Sequence, residues 1–535
     1  MISSKISICG LHAVVVAAIV VPCLACGYLG WPGLHWDGGF YSSAILNAAN
    51  SGVWELAGES LVFEWQGDLL LLNHGVLSVL LYGELLQCCD WQSLLGMFAA
   101  TTALSGAAWY FAFIQLFGGY CGRKCDIALA GIAGCTAAAL SMSLQGRPEQ
   151  PALLLSALPF LFVYRAGWRH HLMYGVLIAL LFTASPTCGL TAFAGCMWFL
   201  STKTDTSIWQ LTFRGLSVAA VAIFGVLAVL CLVPGGPIEW IRRFIDRTDP
   251  DKLTSSTGML FSFIEPGKEA DHFAPEFRPT VFFGVSGWLP FWNLMVVFLL
   301  TWCLGALISA RRLLHALLLM AALLRLERSF VDYSYVVALL PGCWFVLRDL
   351  RRYDSNNAGL RRGGASIVCL FLIVNGCYLW INAAEAVLYR GAATEMKQLQ
   401  ELISSVCTAD RSESGTKPAA GFVYSADQDL RILGPPSRRY VRLYSDVDDW
   451  RFENWRLSES TKKFLASEDM QVDLVVFPRS ETDLNVIRID GQEFRRVMRT
   501  RGAGKRIARL GMRDGVVGYA VDVFVRSATG HQAPD

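Results

Sequence analysis

The chain of 535 residues is 54% hydrophobic and 17% charged, and its mean hydropathy is +0.41. Soluble domains carry about 25% charged residues. This composition, with recurrent apolar runs near the length of a membrane span, therefore excludes an ordinary soluble protein and indicates a polytopic membrane protein. The net charge of +2 gives no indication of a nucleic-acid partner.

The first predicted span covers residues 8–30 and is followed by an acidic stretch. Between Trp31 and Asp90 the sequence has seven Asp or Glu and no Lys or Arg. Asp37 opens this stretch, and we expect it at the water edge, because the bilayer centre costs a carboxylate roughly 2.5 to 3.5 kcal/mol. There it is able to act as a base or a ligand. The alternative is a cap for a helix that begins near Phe40.

Two amphipathic segments follow in the same acidic stretch. Residues 40–50 place Tyr41, Ile45 and Ala48 on one side of a helix, and residues 74–87 gather a second apolar side. Both segments are too polar or too short to span a bilayer. We therefore expect two helices that lie in the membrane interface.

Apolar runs predict ten further spans, about eleven in all. They are expected at residues 91–117, 126–145, 151–165, 172–185, 187–201, 211–233, 282–310, 312–326, 331–347 and 364–388. Pro186 separates two half-length spans. With a cytoplasmic start, this count puts the Arg-rich and Lys-rich loops inside, as the positive-inside rule requires, whereas one merged helix would put the last Arg-rich loop outside.

The predicted orientation divides the chain into two domains. Residues 1–388 form a transmembrane domain, with interfacial helices in the outer loop 31–90 and a second, long outer loop at 234–280. Residues 389–535 form a small C-terminal α/β domain outside the membrane. Strand-like runs in this tail lie at 420–424, 440–444, 472–477, 485–489 and 515–525.

Charged residues next to lipid are the remaining candidates for a site. Arg147 and Glu149 lie between two apolar runs on the predicted outer side. The Arg could hold an anionic head group by a planar bidentate contact, or it could be a snorkelling Arg paired with a nearby acid. Arg325 and Arg328 lie at the outer end of a short span, against the positive-inside trend, so phosphate binding is the preferred interpretation there.

The order of these motifs resembles the GT-C membrane glycosyltransferases, the superfamily of mannosyl-, arabinosyl- and aminoarabinose transferases that use lipid-linked sugars. The resemblance covers about residues 8–390. The matching elements are Asp37-Gly38-Gly39-Phe40-Tyr41, Ser51-Gly52-x-Trp54, His74-Gly75-Val76-Leu77, Arg147-Pro148-Glu149 and an Arg-x-Tyr-x-Pro-like segment from Arg328 to Pro341.

The resemblance implies a GT-C-like fold and transfer of a sugar from a polyprenyl-phosphate donor. Asp37 would be the general base, and Arg147, Arg325 and Arg328 would bind the donor phosphate. Supporting roles fall to Tyr41, His74, Glu149, Tyr333 and Tyr335. No cofactor is required by this pattern. A divalent metal is an open alternative, although Gly38 stands where protein mannosyltransferases often have a second acid, and its absence removes a potential metal ligand.

The acceptor would be a lipid, a glycan or a protein outside the cytoplasm. The expected location is a bacterial inner (plasma) membrane, with the active site and the C-terminal domain on the extracytoplasmic side. Two other classes of protein stay open at this point. One is a polytopic transporter or lipid flippase, which would place its charges near the middle of the membrane. The other is a non-catalytic envelope-assembly protein.

Overall fold

The computed structural model describes most of the helices and part of the C-terminal tail. The described residues are 8–29, 38–52, 54, 75–117, 124–161, 168–202, 207–247, 291–309, 336–352, 358–388, 392–408, 416–423, 440–443, 454–457, 459–467, 469–478, 484–500 and 521–527. Within these ranges the chain is mostly helical and ends in a small sheet.

The helices are numbered here in chain order over the described residues. They are α1 (Ile8–Leu29), α2 (Gly38–Ser51), α3 (Val76–Leu85), α4 (Trp91–Leu116), α5 (Lys124–Ser143), α6 (Glu149–Leu155), α7 (Leu158–Leu161), α8 (Trp168–Ala184), α9 (Pro186–Thr202), α10 (Ile208–Leu230), α11 (Gly236–Arg247), α12 (Trp292–Ser309), α13 (Val336–Arg352), α14 (Ala358–Leu388), α15 (Ala392–Thr408) and α16 (Glu459–Ser467).

Five of these helices, α1, α4, α5, α10 and α14, are long and apolar enough to cross a membrane. Each coincides with a predicted span. The predicted break at Pro186 is confirmed, since α8 and α9 are separate helices of 17 residues each. The predicted spans 151–165, 282–310 and 331–347 lie partly outside the described residues, and 312–326 lies wholly outside them.

The predicted span over residues 151–165 is not one continuous helix in its described part. The chain forms two short helices there, α6 and α7, which Ser156 and Ala157 separate. Pro159 has no amide hydrogen to donate to Leu155, so a regular helical hydrogen-bond ladder cannot run through this point. The Ser156 hydroxyl instead donates to the backbone oxygen of Leu153 at 2.7 Å.

Glycines allow the three helices α1, α4 and α5 to pack closely. A Cβ added to Gly134 of α5 would lie 2.9 Å from the backbone oxygen of Gly106 in α4, and one on Gly106 would lie 3.0 Å from the oxygen of Gly134. The side chain of Ile19 from α1 lies against both glycines. Membrane helices commonly associate through small residues in this way. The seam fixes the ends of α4 and α5 next to each other.

The two predicted amphipathic segments form α2 and α3. In α2 the polar residues Ser42 and Asn47 are buried along with the apolar ones. Helix α3 packs against α2 so closely that a Cβ on Gly83 would lie 3.0 Å from the backbone oxygen of Ile45. Tyr82 of α3 in turn bonds α4 through the Thr101 hydroxyl at 2.8 Å. The pair is therefore packed onto the bundle.

The C-terminal tail forms a seven-stranded mixed sheet. Its order is β2-β1-β4-β7-β6-β5-β3, with β1 parallel to β2 and β4, β3 parallel to β5, and the remaining neighbours antiparallel. The strands are β1 (Lys417–Val423), β2 (Tyr440–Leu443), β3 (Asn454–Trp455), β4 (Met470–Pro478), β5 (Val486–Ile489), β6 (Gln492–Arg499) and β7 (Val521–Arg526). Strands β1, β2, β4, β5 and β7 overlap predicted runs, whereas β3, β6 and helix α16 were not predicted.

Apolar contacts join the sheet to one end of the helix bundle. Leu399 and Ile403 of α15 and Leu474 and Val476 of β4 belong to the same buried cluster as Ile45 of α2. The cluster also contains residues from α3, the start of α4 and the end of α10. The tail therefore lies at the end of the bundle that carries α2 and α3.

Candidate functional site

The candidate site begins at the turn after α5, where a charged pair is buried. Gly146 has a φ of 86°, which is a left-handed conformation that favours glycine. Next to it, the Arg147 amide donates to Leu144 O at 2.8 Å. Pro148 caps α6, which begins with Glu149. The turn thus places Arg147 and Glu149 two residues apart at the entrance of a helix.

The two side chains form a bidentate ion pair. The Arg147 Nε donates to Glu149 Oε2 at 2.9 Å, and Nη2 lies 3.4 Å from Oε1. Arg147 is only 8% exposed and Glu149 only 3% exposed. A buried pair of this kind holds the guanidinium in one orientation, and removing one partner alone is strongly destabilising. The pair is therefore rigid, and the stability of the fold depends on keeping both partners.

Tyr41 from α2 covers the Arg147 side chain. The guanidinium carbon lies 5.8 Å from the centre of the Tyr41 ring, in the range of a cation–π contact. Sequence alone gave Tyr41 a place on the apolar side of a helix. The structure adds that this side faces Arg147, so the start of α2 and the turn before α6 form one surface.

Gly75 brings a third segment to the same place. Its φ is 80°, and a Cβ there would lie 3.4 Å from the Tyr41 ring and 3.5 Å from Pro148. Its amide donates to the backbone oxygen of Ala184 at 2.9 Å. This bond attaches the start of α3 to the junction between α8 and α9. A glycine is favoured because the left-handed backbone disfavours a side chain.

A buried polar network lies behind α6 and was missed by sequence reasoning. The Gln150 amide nitrogen donates to Phe98 O and to the Thr102 hydroxyl, both at 3.0 Å. Thr102 lies 3.2 Å from the hydroxyl of Ser141. Gln150 is fully buried. The sequence signal for Gln150 was its position directly after Arg147-Pro148-Glu149. A buried amide next to a buried ion pair must find hydrogen-bond partners.

Glu385 is a second buried carboxylate that sequence reasoning did not single out. It is 1% exposed and lies in the last turn of α14. It is close enough to Cys26, near the end of α1, for its charge to act on that thiol. An acid within a membrane-spanning helix is costly unless it is partnered or functional. Glu385 therefore adds a carboxylate to the bundle near the end of α1, which precedes α2 in the chain.

The predicted site residues divide into two groups. Tyr41, Arg147 and Glu149 are brought together by the structure. The others lie outside the described residues, and they are Asp37, His74, Arg325, Arg328, Tyr333 and Tyr335. Two of them are next in the chain to described residues of the site, because Asp37 precedes Gly38, where α2 begins, and His74 precedes Gly75. Among the described residues no group of three His, Cys, Asp or Glu side chains is arranged to hold a metal.

The described arrangement is that of an Arg paired with a nearby acid, one of the two interpretations that the sequence left open. A guanidinium is planar, permanently charged and matched to carboxylate or phosphate oxygens. Glu149 fixes its orientation, and the Tyr41 ring and Pro148 shield the site. In comparisons with known proteins, no family model matches the chain and no curated protein matches it.

Proposed function

We propose that the protein is a membrane glycosyltransferase that moves a sugar from a polyprenyl-phosphate donor to an acceptor hydroxyl outside the cytoplasm. The observation that carries the proposal is the buried Arg147–Glu149 pair beneath Tyr41. It supplies an oriented cation beside Tyr41, which follows Asp37 by four residues in the sequence. The proposed reaction requires a base and a phosphate ligand close to each other.

The arrangement of the helix ends supports the proposal. Gly75, Arg147 and the α8–α9 junction lie together, and the tail sheet shares a buried cluster with α2 and the end of α10. These are the segments that the eleven-span topology assigns to the outer side. The proposal therefore includes that topology, with the active site and tail facing away from the cytoplasm in a bacterial plasma membrane.

The position of charges also favours a transferase over a transporter. In the five long apolar helices, the charged residues of the described chain lie within the first or last two turns. Arg214 of α10 and Glu385 of α14 are examples. A transporter would require charges and a binding site near the middle of the membrane. A lipid-phosphate donor instead requires them at the membrane edge, where its phosphate lies.

In the proposed reaction the acceptor oxygen bonds to the anomeric carbon as the bond from that carbon to the donor phosphate oxygen breaks. Asp37 accepts the proton of the hydroxyl, and the polyprenyl phosphate leaves with the bonding electrons. Arg147 stabilises the charge on the leaving phosphate. A carboxylate near the sugar also stabilises the partial positive charge of an oxocarbenium-like transition state.

The test is Asp37→Asn, measured as release of polyprenyl phosphate from a purified pool of polyprenyl-phosphate sugars. Asn caps a helix about as well as Asp, so stability should hold. Loss of a general base typically lowers the rate by roughly 100- to 10,000-fold. Full activity in the variant would leave Asp37 only a helix cap.

A matched control is present in the same acidic stretch. Asp90 is the N-cap of α4, and its carboxylate accepts from the Ser93 amide at 2.7 Å. Asp90→Asn should therefore keep both stability and transfer. A similar loss of transfer in both variants would indicate a general effect on folding rather than catalysis.

A further inference from the structure

The sequence of helix α11 is strongly amphipathic. Its positions 238, 240, 241, 244 and 245 are apolar, and its positions 239, 242, 243, 246 and 247 are charged. At 3.6 residues per turn these two sets fall on opposite halves of the helix. Three of the five charges are Arg. A short helix with an apolar half and an Arg-containing polar half is typical of segments that lie in a membrane interface.

The two edges of the apolar half have different surroundings. Trp240 packs against the buried cluster that contains the end of α10 and the residues of α2 and α3. Ile238 and Ile241 face away from it, and they are 82% and 43% exposed. The helix is thus attached to the protein at one edge and presents an uncovered isoleucine ridge, Ile238 and Ile241, at the other.

The helix that precedes α11 in the chain, α10, also carries an exposed apolar surface along its length. Large side chains exposed along this helix include Trp209, Phe213, Leu216 and Phe224, and Leu232 follows its end. Because α10 is one of the five helices that could cross a membrane, the surface that these residues form is the one that lipid would cover. Surfaces this apolar and extended indicate an interaction with a partner or a membrane.

The turn between α10 and α11 redirects the chain at the end of that surface. The Gly236 amide donates to the Val233 oxygen at 2.9 Å. Gly235 and Gly236 both have positive φ, at 83° and 69°. Two successive left-handed glycines allow a reversal that other residues resist. Because of this turn, α11 does not continue α10 as one straight helix through the bilayer.

We infer that α11 lies in the membrane interface, with Ile238 and Ile241 inserted among the phospholipid acyl chains and its charged half at the head groups. The occupant of the exposed ridge is therefore a phospholipid bilayer. Arg side chains beside phosphates and Trp240 at the level of the interface suit this position. The inference does not depend on the proposed transferase reaction.

The test is photo-crosslinking of the full-length protein in nanodiscs of phosphatidylethanolamine and phosphatidylglycerol. The photoreactive amino acid p-benzoylphenylalanine replaces Ile238 in one variant and Ile241 in another. Position 224 on α10 serves as the positive control for lipid contact. Position 239 is the matched control, since Glu239 is two residues from Ile241 and therefore lies on the other side of the helix.

Irradiation should give phospholipid adducts at positions 238 and 241, detected by mass spectrometry, at yields comparable with position 224. Position 239 should give several-fold less lipid adduct. Adducts at 238 and 241 with the tail domain or with a second copy of the chain would overturn the inference, because the ridge would then be a protein interface. Equal labelling by water-soluble probes at 238 and 239, without lipid adducts, would also overturn it.

Discussion

At the scale of single residues, the Arg147–Glu149 pair constrains how the site can be tested. Each side chain is almost fully buried and is the other's ion-pair partner. Removing one charge of such a pair typically costs about 3 to 5 kcal/mol, because the remaining charge stays buried. A simple Arg147→Ala change therefore mixes an effect on folding with any effect on the donor. Variants that keep the charges balanced are more informative.

The first prediction is that Arg147→Gln combined with Glu149→Gln folds but uses the donor poorly. Neither side chain is then left as a lone buried charge, so stability should stay closer to the parent than in either Ala variant. A charge-assisted contact to phosphate contributes about 1.5 to 3 kcal/mol, which corresponds to roughly a 10- to 100-fold weaker donor affinity. Donor titration and thermal unfolding of the same samples measure the two effects separately.

Arg147→Lys serves as the comparison for this double variant. Lys keeps the charge near Glu149 but lacks the planar fork, so donor use should be only partly retained. Unchanged donor affinity in the double variant would contradict phosphate binding by Arg147 and leave the pair a structural element.

A second prediction at this scale concerns Asp473 in the sheet. Burial raises the pKa of this carboxyl, although the nearby Arg526 acts to lower it. A raised pKa in the folded state means that the stabilising contribution is complete below the unfolded value, near 3.9. It is lost as the pH rises through the folded value. Asp473→Asn should therefore protect the sheet better than the parent at neutral pH, and this advantage should fade in acid.

Hydrogen exchange of the β4 peptide, compared between variant and parent at each pH, measures this difference. Asp469→Asn is the control, because Asp469 is exposed at the start of the same strand. Asn is also well tolerated at its positive φ. An equal and pH-independent effect of both substitutions would argue against a contribution from burial of Asp473.

At the scale of elements, the glycine seam between α4 and α5 sets where the site can form. Gly106 and Gly134 let the two backbones approach, and Ile19 of α1 fills the groove that they leave. Further along the same pair, Thr102 and Ser141 meet, and Gln150 joins them. The orientation of α6, and hence of Arg147 and Glu149, depends on this packing.

The third prediction is that Gly134→Val destabilises the bundle while Gly96→Ala does not. A side chain at position 134 would contact a backbone oxygen at 2.9 Å, which cannot move aside as a flexible side chain could. Overpacking of this kind costs about 1 to 3 kcal/mol. Gly96 lies on α4 with nothing within 4 Å of an added Cβ, so Ala there should be neutral or mildly stabilising. Thermal unfolding in detergent measures the stability of both variants. Equal stability would contradict close packing of α4 against α5 at Gly134.

At the scale of the whole molecule, several described segments meet at one end of the helix bundle. The starts of α2, α3 and α6, the α8–α9 junction and the tail sheet lie at one end. Polyprenyl phosphates carry their charge at a membrane edge, so an enzyme that uses them needs its charged residues, acceptor site and water access at one end. The Arg147–Glu149 pair lies among the segments that meet at this end.

The fourth prediction is the topology itself. Cysteine labelling or reporter fusions should place position 123 inside the cell and positions 60, 260 and 450 outside. The physical reason is the bias of Lys and Arg towards the predicted inner loops. An inside location for position 450 would remove the odd number of spans and move the tail to the cytoplasm.

The sequence by itself determined where the long apolar helices lie. Apolarity over about 20 residues is a local property, and a bilayer selects it without reference to the rest of the chain. The break at Pro186 was equally local, because a proline lacks the amide hydrogen that continues a helix. Most strands of the tail followed from alternation of apolar and polar residues. Sequence also identified Tyr41, Arg147 and Glu149 as candidates, from their residue types and positions.

Only the tertiary structure decided which of these residues meet. A pattern along α2 marks its apolar side, but it cannot show that the polar residues Ser42 and Asn47 are buried as well. The contact of Tyr41 with Arg147 and the bonds of Gln150 to α4 join segments far apart in the chain. Such contacts depend on how closely helices approach, and glycines such as Gly106 and Gly134 set that distance only when the two helices are brought together.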